Sequence, residues 1–334
     1  MNQLAILGLG GVGRAVLAQA APHLAIALVA DRSGYIAGEF DAATWQTISA
    51  AKASGATVAQ LPHGTTGDWR TALPAGALIA DTTADETAPV LIDLIERGHR
   101  VALANKKPLC GSLAQFRALT ADGRTRYEAT VGAGLPVVVT TGLLRDSGDQ
   151  VQRIEGSLSG TLGFLLSNIE AGEPYSASVI EAKHRGWTEP DPRDDLGGVD
   201  VARKALILGR TLGYEWELSD IGVAALYPAE YASLNIEEFL AALPALDAEY
   251  AERQRAAVER GCTLRFVATV TPHGANVGLR EVPAASPLGT LRGPDTLVAW
   301  TTTRYSERPL VVRGPGAGAE VTASAVVFDL LALR

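Results

Sequence analysis

Two cysteines in 334 residues are too few for a disulfide framework, and Cys110 and Cys262 stand too far apart for a zinc cluster. Such sparse usage fits two thiols in a reducing compartment better than a stapled secreted fold. No apolar run approaches the roughly 18 to 20 residues that a membrane span needs, so no membrane partner is expected. The chain opens MNQLAILGLG, with no basic stretch ahead of its apolar one and with glycines interrupting it. A secretory leader is therefore not expected, and the cytoplasm is the expected compartment. There is no long Lys/Arg run, and the net charge of −8 speaks against a nucleic-acid partner gripped through its phosphates. Internal repeats and low-complexity linkers are also missing.

What is present is ordinary globular material: 47% hydrophobic and 20% charged residues, with 35 glycines and only 6% aromatics. The length exceeds the roughly 250 residues at which single cores stop growing, which suggests two domains. Over the first 110 residues, short apolar runs alternate with helical stretches. Leu4–Leu7, Ile26–Ala30, Ala77–Ala80 and Val101–Ala104 read as strands, Val12–Ala21 and Ala88–Arg97 as helices. Strands that are continuous apolar runs indicate a parallel sheet covered on both faces. Ligands of such sheets sit beyond the carboxyl ends of the strands, where Gly8, Asp31, Asp81 and Asn105 fall. Near residue 135 the texture changes. Val151–Leu158, Thr263–Val270, Asn276–Val282 and Thr296–Thr302 read as strands of a mixed sheet, with helices over 161–171, 176–185 and 198–212 on one face. Gly314–Leu333 reads as a glycine-rich lead into a small-residue helix that can pack back on the first domain.

Gly8-Leu-Gly10-Gly11-Val12-Gly13 follows a strand and opens a helix, the context a dinucleotide fingerprint requires. Gly8 permits the tight turn, Gly10 lets backbone approach pyrophosphate, and Gly13 allows close helix–strand packing. Asp31 ends the second strand, where a carboxylate accepts from ribose hydroxyls and favours NAD. Arg32 follows at once and can pair with the 2′-phosphate of NADP, so the sequence leaves both coenzymes open. Asn105-Lys106-Lys107-Pro108 ends a strand at the same sheet edge. Glu128-Ala-Thr-Val-Gly-Ala-Gly-Leu-Pro136 reads either as a crossover between domains or as a loop whose carbonyls, with Glu128, hold a monovalent cation. Ser159-Gly-Thr-Leu-Gly163 opens a helix and reads either as its hydroxyl cap or as a set of exposed N–H groups that meet a substrate carboxylate. In Gly186-Trp-Thr-Glu189-Pro-Asp191-Pro-Arg193-Asp194-Asp195-Leu-Gly-Gly-Val-Asp200-Val-Ala-Arg203-Lys204, two prolines stiffen a loop that carries four carboxylates. Asp200 and Lys204 are spaced i, i+4 and share a helix face with Leu208 and Thr211, so the pair points toward packed structure. Clustered acids beside it suit a small ligand with an ammonium group.

With these segments laid out, the chain resembles homoserine dehydrogenases over nearly its whole length. GLGGVG, NKKP, YEATVGAGLPVV, GSLSGTLGF, GWTEPDPRDDLGGVDVARK and GPGAGAEVTAS follow one another in that family's order. The resemblance implies a Rossmann-type nucleotide-binding domain (residues 1–134 and 307–334) and an α+β catalytic and dimerisation domain (135–306). It implies interconversion of L-aspartate 4-semialdehyde and L-homoserine with NAD or NADP, in a homodimer. By position, Lys107 and Lys204 match the catalytic lysines. Glu189, Asp195 and Asp200 match the acids around the substrate, and Thr83 and Gly316 match positions near the coenzyme. Glu128 with the carbonyls of Val131, Ala133 and Leu135 matches a sodium site. Which lysine moves the proton stays open. Many members carry a regulatory domain or a fused kinase; this sequence has room for neither, so threonine feedback through such a domain is not expected. A different pathway dehydrogenase has no reason to keep EPDPRDDLGGVDVARK, and a non-catalytic dinucleotide sensor has no reason to keep its acids and lysines.

Overall fold

The structure, a computed structural model, describes residues 3–334. The chain forms two compact units, one built from the segment up to Pro136 together with Ala317–Arg334, the other from Val137–Gly316.

The first unit is built on six strands: β1 (Gln3–Leu7), β2 (Ala25–Asp31), β3 (Gly34–Ala37), β4 (Leu78–Asp81), β5 (Arg100–Leu103) and β6 (Thr125–Arg126). Their order is β3-β2-β1-β4-β5-β6. Every pair is parallel except β2–β3. The four expected strands are present to within two residues at each end. β1 is buried from Leu4 onward and β4 is buried throughout, because helices cover both faces of a parallel sheet. β3 was not expected from the sequence. Asp31-Arg32-Ser33-Gly34 turns the chain straight back, pairing Ala30 with Tyr35 and Asp31 with Gly34. The chain leaves β1 toward one edge and returns to β4 on its other side, so the topological switch falls between β1 and β4.

The helix Gly11–Ala20 packs against the last helix, Ala319–Ala332. Val16, Leu17 and Ala20 join Ala323, Val326 and Leu330 in one core with Leu4, Ile6 and Val29. Polar contacts fasten the same seam: Gln19 Nε2 donates to the Glu320 carbonyl at 3.0 Å. Asp329 is buried on the inner side, where its carboxylate accepts from the Glu128 N–H at 2.7 Å and from Arg126 Nε at 3.1 Å. Burial pushes the Asp329 carboxyl up, and those donors pull against it.

The second unit carries β7 (Val151–Ser157), β8 (Ile221–Val223), β9 (Cys262–Thr271), β10 (Gly274–Pro283), β11 (Asp295–Thr302) and β12 (Leu310–Pro315). The order is β12-β11-β7-β9-β10-β8, antiparallel except between β8 and β10, so the sheet is mixed. Helices Gly160–Glu170, Val199–Thr211 and Asp247–Glu259 pack on β9. Arg265 of β9 is only 1% exposed. Its guanidinium donates to the carbonyls of Leu264, Leu288, Gly289 and Leu291 and pairs with Glu170 at 2.8 Å, fixing the segment before β11. The expected boundary at residue 307 would have put β12 with the nucleotide domain. Instead Leu310–Trp300 and the pairs that follow join β12 to β11, and the second unit runs to Gly316. The half-exposed pattern of LVVRGP hides this strand, since alternation is weak when the strand lies at a sheet edge.

Candidate active site

Beyond the carboxyl ends of β1, β2 and β4 lies a cavity of about 610 Å³. Its walls are Leu7–Gly10, Ala30–Ser33 and Thr82–Thr87, with Lys52, Thr57 and Trp69. The three fingerprint glycines have separate reasons for being there. Gly8 sits at φ +89°, in the left-handed region. At Gly13 a Cβ would lie 1.9 Å from the Gly8 carbonyl oxygen, so close packing alone demands glycine. Gly10 is different: its φ is −77°, and a Cβ there would meet nothing within 4 Å. Neither backbone conformation nor protein packing requires glycine at that position, which borders the cavity. Gly11 and Val12 follow in the first helical turn, which contains no acidic residue to satisfy its N–H groups.

Asp31 and Arg32 both line this cavity, but neither is idle. Asp31 Oδ1 accepts from the Ser33 N–H at 2.8 Å and from Ser33 Oγ at 2.5 Å. Oδ2 accepts from the Val58 N–H at 3.2 Å and pairs with Lys52 at 2.8 Å. Burial alone would raise this carboxyl, yet the hydrogen bonds from Lys52, Ser33 and Val58 outweigh it and hold the pKa at about 2. A carboxylate with four donors has little capacity left for a ribose hydroxyl. Arg32 reaches across to Asp85, with Nε 3.1 Å from Oδ2 and Nη2 on Oδ1. Sequence reading missed Lys52 and Asp85. Lys52 is the one charge in AATWQTISAAKA, a helix that gives no hint of the 21-residue return to Asp31. Thr83, also in the wall, donates through N–H and Oγ1 to buried Asp81 at 3.0 and 2.7 Å.

Asp81 also accepts from Thr87 Oγ1 at 2.6 Å and from Asn105 Nδ2 at 3.2 Å. Asn105 Oδ1 in turn accepts the Lys107 N–H at 3.1 Å, at the start of the short helix Lys107–Cys110. One buried network thus ties the loop after β4 to the backbone of Lys107. Lys107 is not among the residues lining the cavity.

Glu128 is only 4% exposed, in a 3₁₀ turn Glu128–Thr130. Val131 is buried, and Gly132 and Ala133 both adopt positive φ, at +87° and +56°. The Leu135 N–H closes the turn on the Gly132 carbonyl at 3.0 Å. A buried carboxylate and the backbone carbonyls of one turn are oxygen groups of the kind that hard cations take. No group of three or more His, Cys, Asp or Glu side chains placed to hold a metal occurs among the described residues.

In the second unit, Lys204 and Asp200 share a face of the helix Val199–Thr211, whose Leu208 and Thr211 are buried. Lys204 Nζ lies 3.0 Å from Asp200 Oδ2 and donates to the Leu158 carbonyl at 2.7 Å. The carbonyl partner is invisible in the sequence, being a backbone group 46 residues away. Asp195 Oδ2 accepts from the Glu189 N–H at 2.8 Å. Burial pushes the Asp195 carboxyl up, and the nearby charges of Glu189 and Asp200 add to this against the pull of that N–H. Ser159 caps its helix through Leu162 N–H at 3.3 Å, and Thr161 Oγ1 donates to the Trp187 carbonyl at 2.6 Å. Gly316 follows β12 in this unit, against Thr296. Cys110 and Cys262 form no disulfide. No helix among the described residues is long and apolar enough to cross a membrane.

The doubly wound sheet, its switch-point cavity and the glycine turn beneath that cavity place the first unit in the Rossmann-type class of nucleotide-binding folds. Residues 136–331 match the homoserine dehydrogenase family model. The chain is 35% identical over 364 residues to a homoserine dehydrogenase of Emericella nidulans, covering 98% of this chain and 97% of that one. It is 43% identical over 265 residues to the bifunctional aspartokinase/homoserine dehydrogenase 2 of Zea mays. That match covers 77% of this chain and spans 29% of the much longer plant protein. A hyperthermophilic archaeal homoserine dehydrogenase, solved in complex with NADPH, shares the fold with a TM-score of 0.78 at 23% identity, over 99% of this chain and 96% of that one. The chain belongs to the homoserine dehydrogenase family.

Proposed function

We propose that the chain is a homoserine dehydrogenase, interconverting L-homoserine and L-aspartate 4-semialdehyde with NADP or NAD. The observation that carries this reading is Lys204, an ammonium held on one side by Asp200 and on another by the Leu158 carbonyl. Those partners take two of its three N–H groups and leave a third for a substrate oxygen. A bound nicotinamide supplies or accepts the hydride. In the reducing direction, Lys204 donates to the carbonyl oxygen and delivers the proton that the incipient alkoxide needs, while Asp200 fixes its position. In the oxidising direction the same nitrogen, deprotonated, takes the hydroxyl proton. Glu189 and Asp195 receive the substrate ammonium; the raised carboxyl of Asp195 is a group that a cation would return to its charged form. Lys107, its N–H held by Asn105, is the second catalytic lysine.

In this reading the first unit binds the coenzyme. Gly8, Gly10, Gly11, Val12 and Gly13 face the pyrophosphate, Thr83 lies near the coenzyme, and Arg32 with Lys52 supplies the cations for a 2′-phosphate. The archaeal neighbour's NADPH supports this choice of ligand. Glu128 with the carbonyls of Val131, Ala133 and Leu135 holds sodium, and the second unit supplies the dimer interface of a cytoplasmic enzyme. The test is direct: purified protein with L-homoserine and each coenzyme, following the absorbance of reduced nicotinamide. Turnover with at least one coenzyme is expected; none with either would overturn the reading.

A further inference from the structure

The wall of the coenzyme cavity carries more acid than base. Arg32 and Lys52 face three carboxylates there, Asp31, Asp85 and Glu86. Both cations are already engaged, Lys52 by Asp31 and Arg32 by Asp85. The second pair has a particular location. Arg32 sits in the β2–β3 turn and Asp85 in the loop after β4, and β2 and β4 are the strands that flank β1. The pair therefore bridges over the end of β1, from which the Gly8–Gly10 turn departs. Both partners are accessible to a ligand, with side chains 85% and 42% exposed.

We propose that the Arg32–Asp85 pair is a clasp that sets coenzyme selectivity, Asp85 competing with the 2′-phosphate of NADP for the guanidinium of Arg32. The proposal rests on the reading that this cavity takes NAD(P). The edge of Arg32 that meets Asp85, Nε and Nη2, is the same two-pronged edge that pairs best with a phosphate. NADP must then displace a carboxylate before it gains Arg32, whereas NAD has no phosphate and no need to break the pair. An exposed ion pair is weak enough to be displaced, so the clasp lowers NADP affinity without abolishing it. This is selectivity through a built-in competitor rather than through a better contact. The loop that carries Asp85 is held independently of its carboxylate. Its carbonyl accepts from Asn105 Nδ2 at 2.8 Å, and Thr83 and Thr87 on either side bond to Asp81. Replacing the carboxylate by an amide leaves those anchors in place.

The experiment compares Asp85→Asn, Arg32→Ala and the double variant through the ratio of kcat/KM for NADPH to that for NADH. Asp85→Asn is expected to raise the ratio about fivefold, and Arg32→Ala to lower it about tenfold. In the Arg32→Ala background, Asp85→Asn should change the ratio by less than about twofold, because a competitor with nothing to compete for has no effect. An equal rise with and without Arg32 would make Asp85 a remote charge and overturn the clasp, as would no rise in the otherwise native protein. Calorimetric titration of the native protein with NADP+ and NAD+ separates the two levels of inference. Failure of both to bind defeats the coenzyme reading itself, whereas binding without the Asp85 effect defeats the clasp alone.

Discussion

Replacing Gly10 and Gly13 one at a time by alanine separates ligand approach from protein packing. At Gly13 the new Cβ would stand 1.9 Å from the Gly8 carbonyl oxygen, where ordinary contact begins at 3.4 Å. The obstacle is backbone, so the turn between β1 and its helix must move, and overpacking of this kind costs about 1 to 3 kcal/mol or more. At Gly10 nothing lies within 4 Å of the added methyl, and φ of −77° suits any residue. Two opposing effects remain, each under about 1 kcal/mol: a poorer helix N-cap, and a less disordered unfolded chain. Urea unfolding should therefore show Gly13→Ala clearly destabilised and Gly10→Ala within about 1 kcal/mol of the native protein. Calorimetric titration with NADP+ should show the reverse emphasis. If that open space takes the pyrophosphate, as proposed, the Gly10 methyl occupies it, and affinity should fall at least about tenfold, or about 1.4 kcal/mol. A Gly10→Ala protein that binds NADP+ like the native one would refute the assignment of that space to the coenzyme.

Lys204→Met should retain coenzyme binding by titration yet lose at least about 100-fold in kcat with L-homoserine, the range of a lost general acid–base group; near-native turnover would shift the proton to another group, Lys107 first. Asp31, with a folded-state pKa of about 2 against an ordinary 3.8, contributes stability above pH 4 that is lost as the pH falls toward 2, about 2 kcal/mol in all. Asp31→Asn should flatten the pH dependence of the unfolding free energy across that window, and an unchanged slope would show that the carboxylate does not couple to folding. Arg265→Met takes a donor from four backbone carbonyls, of which Leu288, Gly289 and Leu291 keep another, and leaves Glu170 paired with Arg292 alone, so unfolding should require about 1 to 3 kcal/mol less; a change below about 0.5 kcal/mol would mean that water replaces the guanidinium.

What could be read from the sequence was whatever local periodicity controls. Leu4–Leu7 and Val101–Ala104 are legible because strands covered on both faces must be unbroken apolar runs. The Asp200–Lys204 pair is legible because a helix brings i and i+4 together whatever surrounds it. The hairpin Asp31–Gly34 was not legible: a turn of Arg and Ser between an acid and a glycine has the same composition as a phosphate-binding loop. Asp31 itself shows the limit most clearly. Its position was right, at the end of β2 and in the cavity wall, but its occupation by Ser33, Val58 and Lys52 depends on chain segments folding back onto it. Long-range backbone partners, such as the Leu158 carbonyl of Lys204, leave no trace in residue type at all.

The seam between the helices Gly11–Ala20 and Ala319–Ala332 also sets a schedule for biosynthesis. The first helix leaves the ribosome well before its covering partner, which is encoded after the rest of the first unit's sheet and the 180 residues of the second unit. At translation rates of roughly 5 to 20 residues per second, Val16, Leu17 and Ala20 wait on the order of 15 to 60 seconds for Ala323, Val326 and Leu330, about 300 residues later. During that interval the nascent sheet presents an apolar face with no permanent cover. The second unit, contiguous in sequence, has no such wait and can finish folding first. Folding of this chain can therefore finish in the second unit before the first, and a nascent-chain chaperone would find its substrate in the segment up to Pro136.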